Sequence, residues 1–259
     1  MSSVTQRIKE IKQPRGGYVK VADFEIKCLN DNNEINEIEN VHSSIIGMSV
    51  DYLTRYMLGT EKSEAFKISI MGAKLAENLG KKNAIAEANE YLNSINGLDD
   101  ESIINTCKIV TFDVWFRNPM AALMAKTAKE TMPDNTTIQN IKILVNRSLK
   151  FFEEYGPITK DGFTFENDGY TETVNSGDGD FLTKDTMWDF KVSKNEPKSD
   201  HTLQLLMYYI MGQHSKKEEF KTIKKIGIFN PRLNKVYLLE INKISKDVIN
   251  QIENDVICY

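Results

Sequence analysis

Cysteine is scarce in this chain of 259 residues, and its three occurrences, Cys28, Cys107 and Cys258, lie far apart. Because they form no C-x-x-C pair, we expect neither a disulfide framework nor a zinc site. Long apolar runs are also missing, and the first residues, Met1 to Arg7, lack the apolar core of a signal peptide. We therefore expect no membrane partner and a cytoplasmic location.

A basic surface is a further absence. The formal net charge is −4, and no long run of lysine or arginine occurs. A protein that holds duplex nucleic acid mainly through its phosphates usually carries a basic stripe, so the sequence disfavours that class. A nuclease is not excluded, because a metal ion and a few local lysines can hold a scissile phosphate.

The spacing of apolar residues changes along the chain and predicts two regions. Residues 1–135 are predicted to be mainly α-helical, beginning with a short amphipathic element, a turn and a candidate strand. Helical periodicity then predicts helices over residues 34–60, 63–79, 82–95, 99–117 and 119–133.

Residues 136–259 are predicted to form an α/β core. A helix ending near residue 155 leads into two strands, 162–166 and 170–174, around an Asn167-Asp-Gly169 turn. A second hairpin follows near residue 180. The predicted elements after it are a helix over 200–213, strands over 225–229 and 235–241, and a final helix.

That second hairpin, within residues 177–192, is the most informative stretch. Alternation on both sides of Lys184-Asp185 indicates two strands on a tight turn. A turn with an even number of residues places Asp180 opposite Asp189 on one face of the sheet. The same face would hold Asp178 opposite Lys191. The other face, which we expect to be the core, receives the apolar residues Phe181, Trp188, Phe190 and Val192.

Facing aspartates predict a bound cation, because like charges directly opposite each other destabilise a hairpin. Two carboxylates, the backbone carbonyl of Phe190 and water molecules suit Mg²⁺ or Mn²⁺. Lys191 would lie beside the metal, where it could orient or deprotonate an attacking water or balance charge on a phosphate. The alternative is an exposed face with solvated acids, which the helix expected over this sheet argues against.

These residues resemble the signature of the PD-(D/E)XK nuclease superfamily, with Asp180 as the first acid and Asp189-Phe190-Lys191 as the D-x-K element. The spacing of Gln204 and Tyr208 is similar to the Q-x-x-x-Y helix motif of its RecB-type exonuclease branch. The resemblance covers about the last 120 residues and implies an αβββαβ restriction-endonuclease-like core, a mixed sheet flanked by helices. It also implies metal-dependent hydrolysis of phosphodiesters, in DNA more than in RNA.

Gln204 and Tyr208 lie four residues apart and so share a helix face, where we expect them to support the site. Core packing is the alternative for Tyr208. His201 and His214 look like helix-end residues without partners.

The branch usually adds a metal ligand from an upstream helix. His42 ranks first, and Glu153, Glu154 and Glu166 are alternatives, although each could equally be a structural or solvated residue. Some RecB-type nucleases carry an iron–sulfur cluster on four cysteines, a pattern that three scattered cysteines do not meet. We expect no cluster.

A second hypothesis is a catalytically weak or inactive nuclease fold that binds nucleic acid or protein in phage defence or mobile-element biology. The acidic net charge and the unidentified upstream ligand favour it, whereas the intact acid and lysine set argues against it. An enzyme acting on another phosphorylated substrate is a third option. In each case the N-terminal helical region could recruit a protein partner.

Overall fold

The computed structural model describes residues 2–166 and 168–259. Contacts divide the chain into a sheet unit, Met1–Asn30 with Phe151–Tyr259, and a helical unit, Asp31–Lys150. Sequence analysis placed a single boundary at residue 135, so the structure differs in two ways. Residues 2–30 belong to the sheet unit. The boundary between the two units lies between Lys150 and Phe151, inside a helix rather than before it.

The elements follow the predicted order closely. In chain order they are β1 (Ser2–Ser3), α1 (Val4–Glu10), β2 (Glu25–Cys28), α2 (Ser43–Met57), α3 (Lys62–Ala65), α4 (Lys67–Asn78), α5 (Ala84–Asn93), α6 (Asp100–Ile109), α7 (Asp113–Arg117), α8 (Pro119–Ala122), α9 (Asn135–Tyr155), β3 (Lys160–Phe163), β4 (Val174–Ser176), β5 (Gly179–Leu182), β6 (Thr186–Phe190), α10 (Ser199–His214), β7 (Lys225–Asn230), β8 (Lys235–Glu240) and α11 (Lys246–Gln251). A π-helical turn, Ile252–Ile257, continues α11.

Two of the predicted helices in the helical unit are shorter than expected. The helix predicted from residue 34 begins only at Ser43, because Asn36 and Asn40 form hydrogen bonds with Asn140 and Thr137 instead of with their own turn. The helix predicted over 119–133 is wrong beyond α8. There the backbone amide and hydroxyl of Thr127 both bind the Glu130 carboxylate and stabilise a local turn.

Among the described residues, six strands form a mixed sheet with the order β2-β8-β7-β6-β5-β3. Strands β6 and β7 are parallel, and α10 supplies the crossover that a parallel pair requires. The other neighbours are antiparallel. The strand predicted over 170–174 is reduced to β4, which pairs with β1 rather than with β3. Asn167, in the predicted turn before it, lies outside the described residues.

Each face of the sheet has its own core, whereas the sequence predicted only one apolar face. On one face Phe181, Trp188 and Phe229 pack against Phe151 of α9, whose ring stacks on Phe229 at 4.1 Å between centroids. Aromatic pairs of this kind contribute about 0.5–1.5 kcal/mol beyond the area they bury. The other face is covered by α10, and its core includes Leu182, Met187, Ile226, Ile228, Leu206 and Met207.

The N-terminal segment belongs to the sheet unit through many contacts, among them a strand pairing, a hydrogen bond and a close backbone approach. Strand β2 pairs with β8, which makes it an edge of the sheet. The hydroxyl of Thr202 in α10 donates a hydrogen bond to the carbonyl of Val19 at 2.7 Å. Gly17 lies against Ser199 so closely that a Cβ there would come within 2.7 Å of the serine Cβ. These contacts account for the place of residues 2–30 in the sheet unit.

Candidate active site

The β5–β6 hairpin has the register that alternation predicted. Phe181 pairs with Trp188 and Leu182 with Met187, and the Thr183 amide donates to the Thr186 carbonyl at 2.9 Å. Lys184 and Asp185 therefore form a two-residue turn. The same count places Asp180 across from Asp189, where the backbone ladder gives way to a side-chain contact.

That side-chain contact fixes the first acid of the site. The amide of Phe190 donates to Oδ2 of Asp180 at 2.6 Å, so the carboxylate occupies the place of a ladder acceptor between the two strands. Gly179, the preceding residue, allows the strand to approach its neighbour, because a Cβ there would come within 2.0 Å of the Phe163 ring. Asp180 is thus held near the start of β5 by the hydrogen bond from the Phe190 amide and by the close strand approach that Gly179 allows.

Asp189 is the second acid, and it is only 5% exposed. Its Oδ1 lies 2.9 Å from Nζ of Lys191. Its Oδ2 is buried and has no hydrogen-bond partner among the described residues. A buried carboxylate oxygen without a partner is costly in free energy, and native structures rarely retain one without a reason. A hard divalent cation would satisfy that oxygen, so the residues present fit Mg²⁺ or Mn²⁺.

Lys191 is held as a cation by these acids. Burial alone lowers the pKa of its ammonium, but the charges of Asp189 and Asp180 and the hydrogen bond to Asp189 outweigh that effect and raise the pKa. The amine is therefore charged at neutral pH. It can orient a water molecule or balance phosphate charge without giving up its proton.

Two side chains of α10 face the acids from above the sheet. Nε2 of Gln204 donates to the hydroxyl of Tyr208 at 3.0 Å, as their shared helix face allows. Burial raises the pKa of Tyr208, and the charges of Asp178, Asp189 and Asp180 raise it further, against the opposing effect of Gln204. The phenol therefore stays neutral. Tyr208 also packs in the core beside Phe165, so a role for the pair in supporting the acids stays a prediction.

His201 is a neighbour of the site that sequence analysis missed. Its Nδ1 accepts a hydrogen bond from the Lys198 amide at 3.1 Å, so the expectation that it lacks a partner is wrong. Burial and the positive charge of Lys191 lower its pKa. The spacing of His201, Gln204 and Tyr208 along one helix face could have revealed it. His214 also has partners, because its ring contacts Glu253 and stacks on Tyr259.

The four candidates for an upstream metal ligand lie in different parts of the fold. His42 belongs to the helical unit, where its Nδ1 caps α2 by accepting from the Ser44 amide. Glu166 is engaged by Lys217 at 2.8 Å, which with Thr164 lowers the pKa of the carboxyl to about 2. Glu153 and Glu154 are exposed near the end of α9, the helix that covers the Trp188 face of the sheet.

Within the described part of the sheet unit, no third acid or histidine joins Asp180 and Asp189 in a metal-binding group. Across residues 2–166 and 168–259, no group of three or more His, Cys, Asp or Glu side chains is arranged to hold a metal ion. The ligands that the hairpin can offer are the carboxylates of Asp180 and Asp189 and a backbone carbonyl. Mg²⁺ accepts such a set, because it usually keeps several of its waters.

Comparison with protein-family models, with curated proteins and with solved structures found no match to this chain. Among the described residues, every helix is too short or too polar to cross a membrane. The functional interpretation therefore depends on the local chemistry of the hairpin and of α10.

Proposed function

We propose that this protein is a metal-dependent nuclease that hydrolyses phosphodiester bonds, with DNA as the preferred substrate. The observation that carries the proposal is the carboxylate of Asp189, buried beside Asp180 with one oxygen bound to Lys191 and the other without a partner among the described residues. A cation-binding role explains why a buried acid is left half satisfied. The choice of DNA over RNA follows from the resemblance alone.

The order and pairing of the core elements support the same proposal. Helix α9 is followed by the antiparallel strands β3, β5 and β6, then by α10 and by β7, which is parallel to β6. This is the αβββαβ succession expected of a restriction-endonuclease-like core. The proposed site lies where β5 begins and β6 ends, and both acids are carried by strands, as the resemblance to the nuclease signature implies.

Each residue has a distinct role in the proposed reaction. The carboxylates of Asp180 and Asp189 and the carbonyl of Phe190 would hold Mg²⁺ or Mn²⁺, with water molecules completing the coordination. When bound, the metal would stabilise charge on the phosphate oxygens and lower the pKa of a coordinated water. Lys191 contributes an ammonium group that orients the attacking water and balances phosphate charge.

Gln204 and Tyr208 act on the site from α10. The amide of Gln204 donates to the Tyr208 hydroxyl, and burial together with the charges of Asp178, Asp189 and Asp180 raises the pKa of the phenol, so it adds no negative charge there. We expect the pair to steady the acids rather than to take part in proton transfer.

Cleavage assays on the purified protein test the proposal. Labelled single- and double-stranded DNA and RNA would be incubated with Mn²⁺ or with EDTA, using wild type, Asp180→Ala and Lys191→Ala. Asp168→Ala and Lys216→Ala are matched controls, because they remove an exposed ion pair outside the site. Metal-dependent cleavage that both site variants lose and both controls keep would support the nuclease. Cleavage that survives in Asp180→Ala would contradict it.

A second candidate is a nuclease-like fold that binds nucleic acid or a protein without cleaving. Two observations favour it: the net charge is −4, and no group of three or more His, Cys, Asp or Glu side chains among the described residues is arranged to hold a metal ion. The same assays separate the candidates, because binding of labelled DNA or RNA without metal-dependent cleavage would favour this one. In that case, the helical unit is the expected contact for a protein partner.

A further inference from the structure

Helix α10 presents a row of three polar side chains to the proposed site. His201, Gln204 and Tyr208 lie at positions i, i+3 and i+7, which places them on one face of the helix. The charges of Asp178, Asp180 and Asp189 act on Tyr208, and those of Lys191 and Asp189 act on His201. Helix α10 packs against β6, the strand that carries Asp189, and His201 lies in the first turn of that helix.

The hydrogen bond made by His201 determines which ring nitrogen carries the proton. Its Nδ1 accepts the Lys198 amide, and a neutral imidazole that accepts at Nδ1 has its hydrogen at Nε2. Burial and the nearby ammonium of Lys191 keep the ring neutral by lowering its pKa. Nε2 is thus a donor that cannot ligate a metal, and it cannot act as a general acid without leaving an imidazolate behind.

A fixed neutral donor beside an ammonium group suits an anionic oxygen. We propose that His201 is a substrate-binding residue whose Nε2–H donates a hydrogen bond to a phosphate oxygen next to the scissile bond. The inference rests on the proposed nuclease function and extends it by naming a contact to the substrate. It assigns the first turn of α10 to phosphate recognition, and Gln204 and Tyr208, one and two turns later, to support of the acids.

His201→Ala and His201→Gln test the assignment in steady-state cleavage of labelled DNA with Mn²⁺. Removing a hydrogen bond to a charged group should raise KM about tenfold or more. The value of kcat should change little, because the contact is made in the ground state as well as in the transition state. Glutamine keeps an N–H donor and should restore most of the lost affinity. His214→Ala, in the last turn of the same helix, is the matched control.

Direct titration with Mn²⁺ provides a readout that does not depend on activity. His201→Ala should bind Mn²⁺ as tightly as wild type. Three results would overturn the assignment: a wild-type KM in His201→Ala, no recovery in His201→Gln, or a loss of Mn²⁺ affinity, which would make the ring a metal ligand. Wild-type protein that neither binds Mn²⁺ nor cleaves DNA would instead overturn the nuclease proposal, and this inference with it.

Discussion

Two buried aspartates, one in each unit, are treated in opposite ways by their surroundings. Asp113 of the helical unit is 0% exposed, and its two oxygens accept hydrogen bonds from the hydroxyls of Tyr52 and Ser69, each at 2.5 Å. Asp189 of the sheet unit is nearly as buried, but one of its oxygens has no partner among the described residues.

The difference separates a structural acid from a candidate ligand. Burial alone does not distinguish them, since both side chains lie in the interior of their units. What differs is whether the protein itself supplies every hydrogen bond that the carboxylate needs. At Asp113 the helices complete the set, whereas at Asp189 no described residue forms a hydrogen bond with Oδ2.

Asp189→Asn should give the largest effect, because the amide keeps the shape of the side chain but removes the charge that would hold a cation. Metal-dependent cleavage should fall by about a thousandfold, equivalent to about 4 kcal/mol of lost transition-state stabilisation. Single-turnover assays with Mn²⁺ would measure it, with circular dichroism to confirm folding. If Asp113→Asn proved equally damaging while remaining folded, the comparison would fail.

Asp113→Ala should instead reduce stability. It would leave the hydroxyls of Tyr52 and Ser69 buried without an acceptor, and each loss costs about 1–3 kcal/mol. The free energy of unfolding should therefore fall by about 2–6 kcal/mol in a urea titration. An unchanged unfolding midpoint would show that these hydroxyls find other partners and that Asp113 is not the structural member of the pair.

Gln204→Leu and Tyr208→Phe should show a smaller, coupled effect. Because the amide of Gln204 donates to the Tyr208 hydroxyl, removing both partners should cost less than the sum of the single changes, by about 1 kcal/mol. A double-mutant cycle on the free energy of unfolding measures the coupling. Additive changes would mean that the two side chains act independently.

The pH dependence of stability should give the smallest effect. Burial raises the pKa of Asp113 above its ordinary value of 3.8, despite the hydrogen bonds from Ser69 and Tyr52 that lower it. As pH rises above that value, the unfolded chain releases its proton before the folded chain does, so the free energy of unfolding falls. Asp113→Asn should lack this component when unfolding is followed between pH 4 and 7. If the free energy of unfolding varied with pH in the same way for wild type and Asp113→Asn, the raised pKa of Asp113 would be contradicted.

The site could be predicted where local pattern decides the geometry. Alternation around Lys184-Asp185 specifies which residues face each other, because a shift of one residue would turn every side chain to the other face. Gln204 and Tyr208 are four residues apart, and that spacing places two side chains on one face of a helix such as α10. His201 lay in the same series, but its role depends on a hydrogen bond from Lys198 that no spacing reveals.

The rest could not be predicted, because it depends on contacts between distant segments. Strand β2 is four exposed residues long and pairs with β8, more than two hundred residues away, so no local periodicity ties it to the sheet. The segment after α8 has a helix-forming composition. The local hydrogen bonds between Thr127 and Glu130 outweigh that helix propensity. A further metal ligand would likewise come from a distant part of the chain.

Titration of the protein with Mn²⁺, followed by calorimetry or by electron paramagnetic resonance, tests the central claim most directly. The predicted result is that wild type and Asp113→Asn bind Mn²⁺ with the same affinity and that Asp189→Asn binds it at least about tenfold more weakly. If wild type binds no Mn²⁺, or if Asp189→Asn binds it as well as wild type does, the unpartnered oxygen of Asp189 is not a metal ligand.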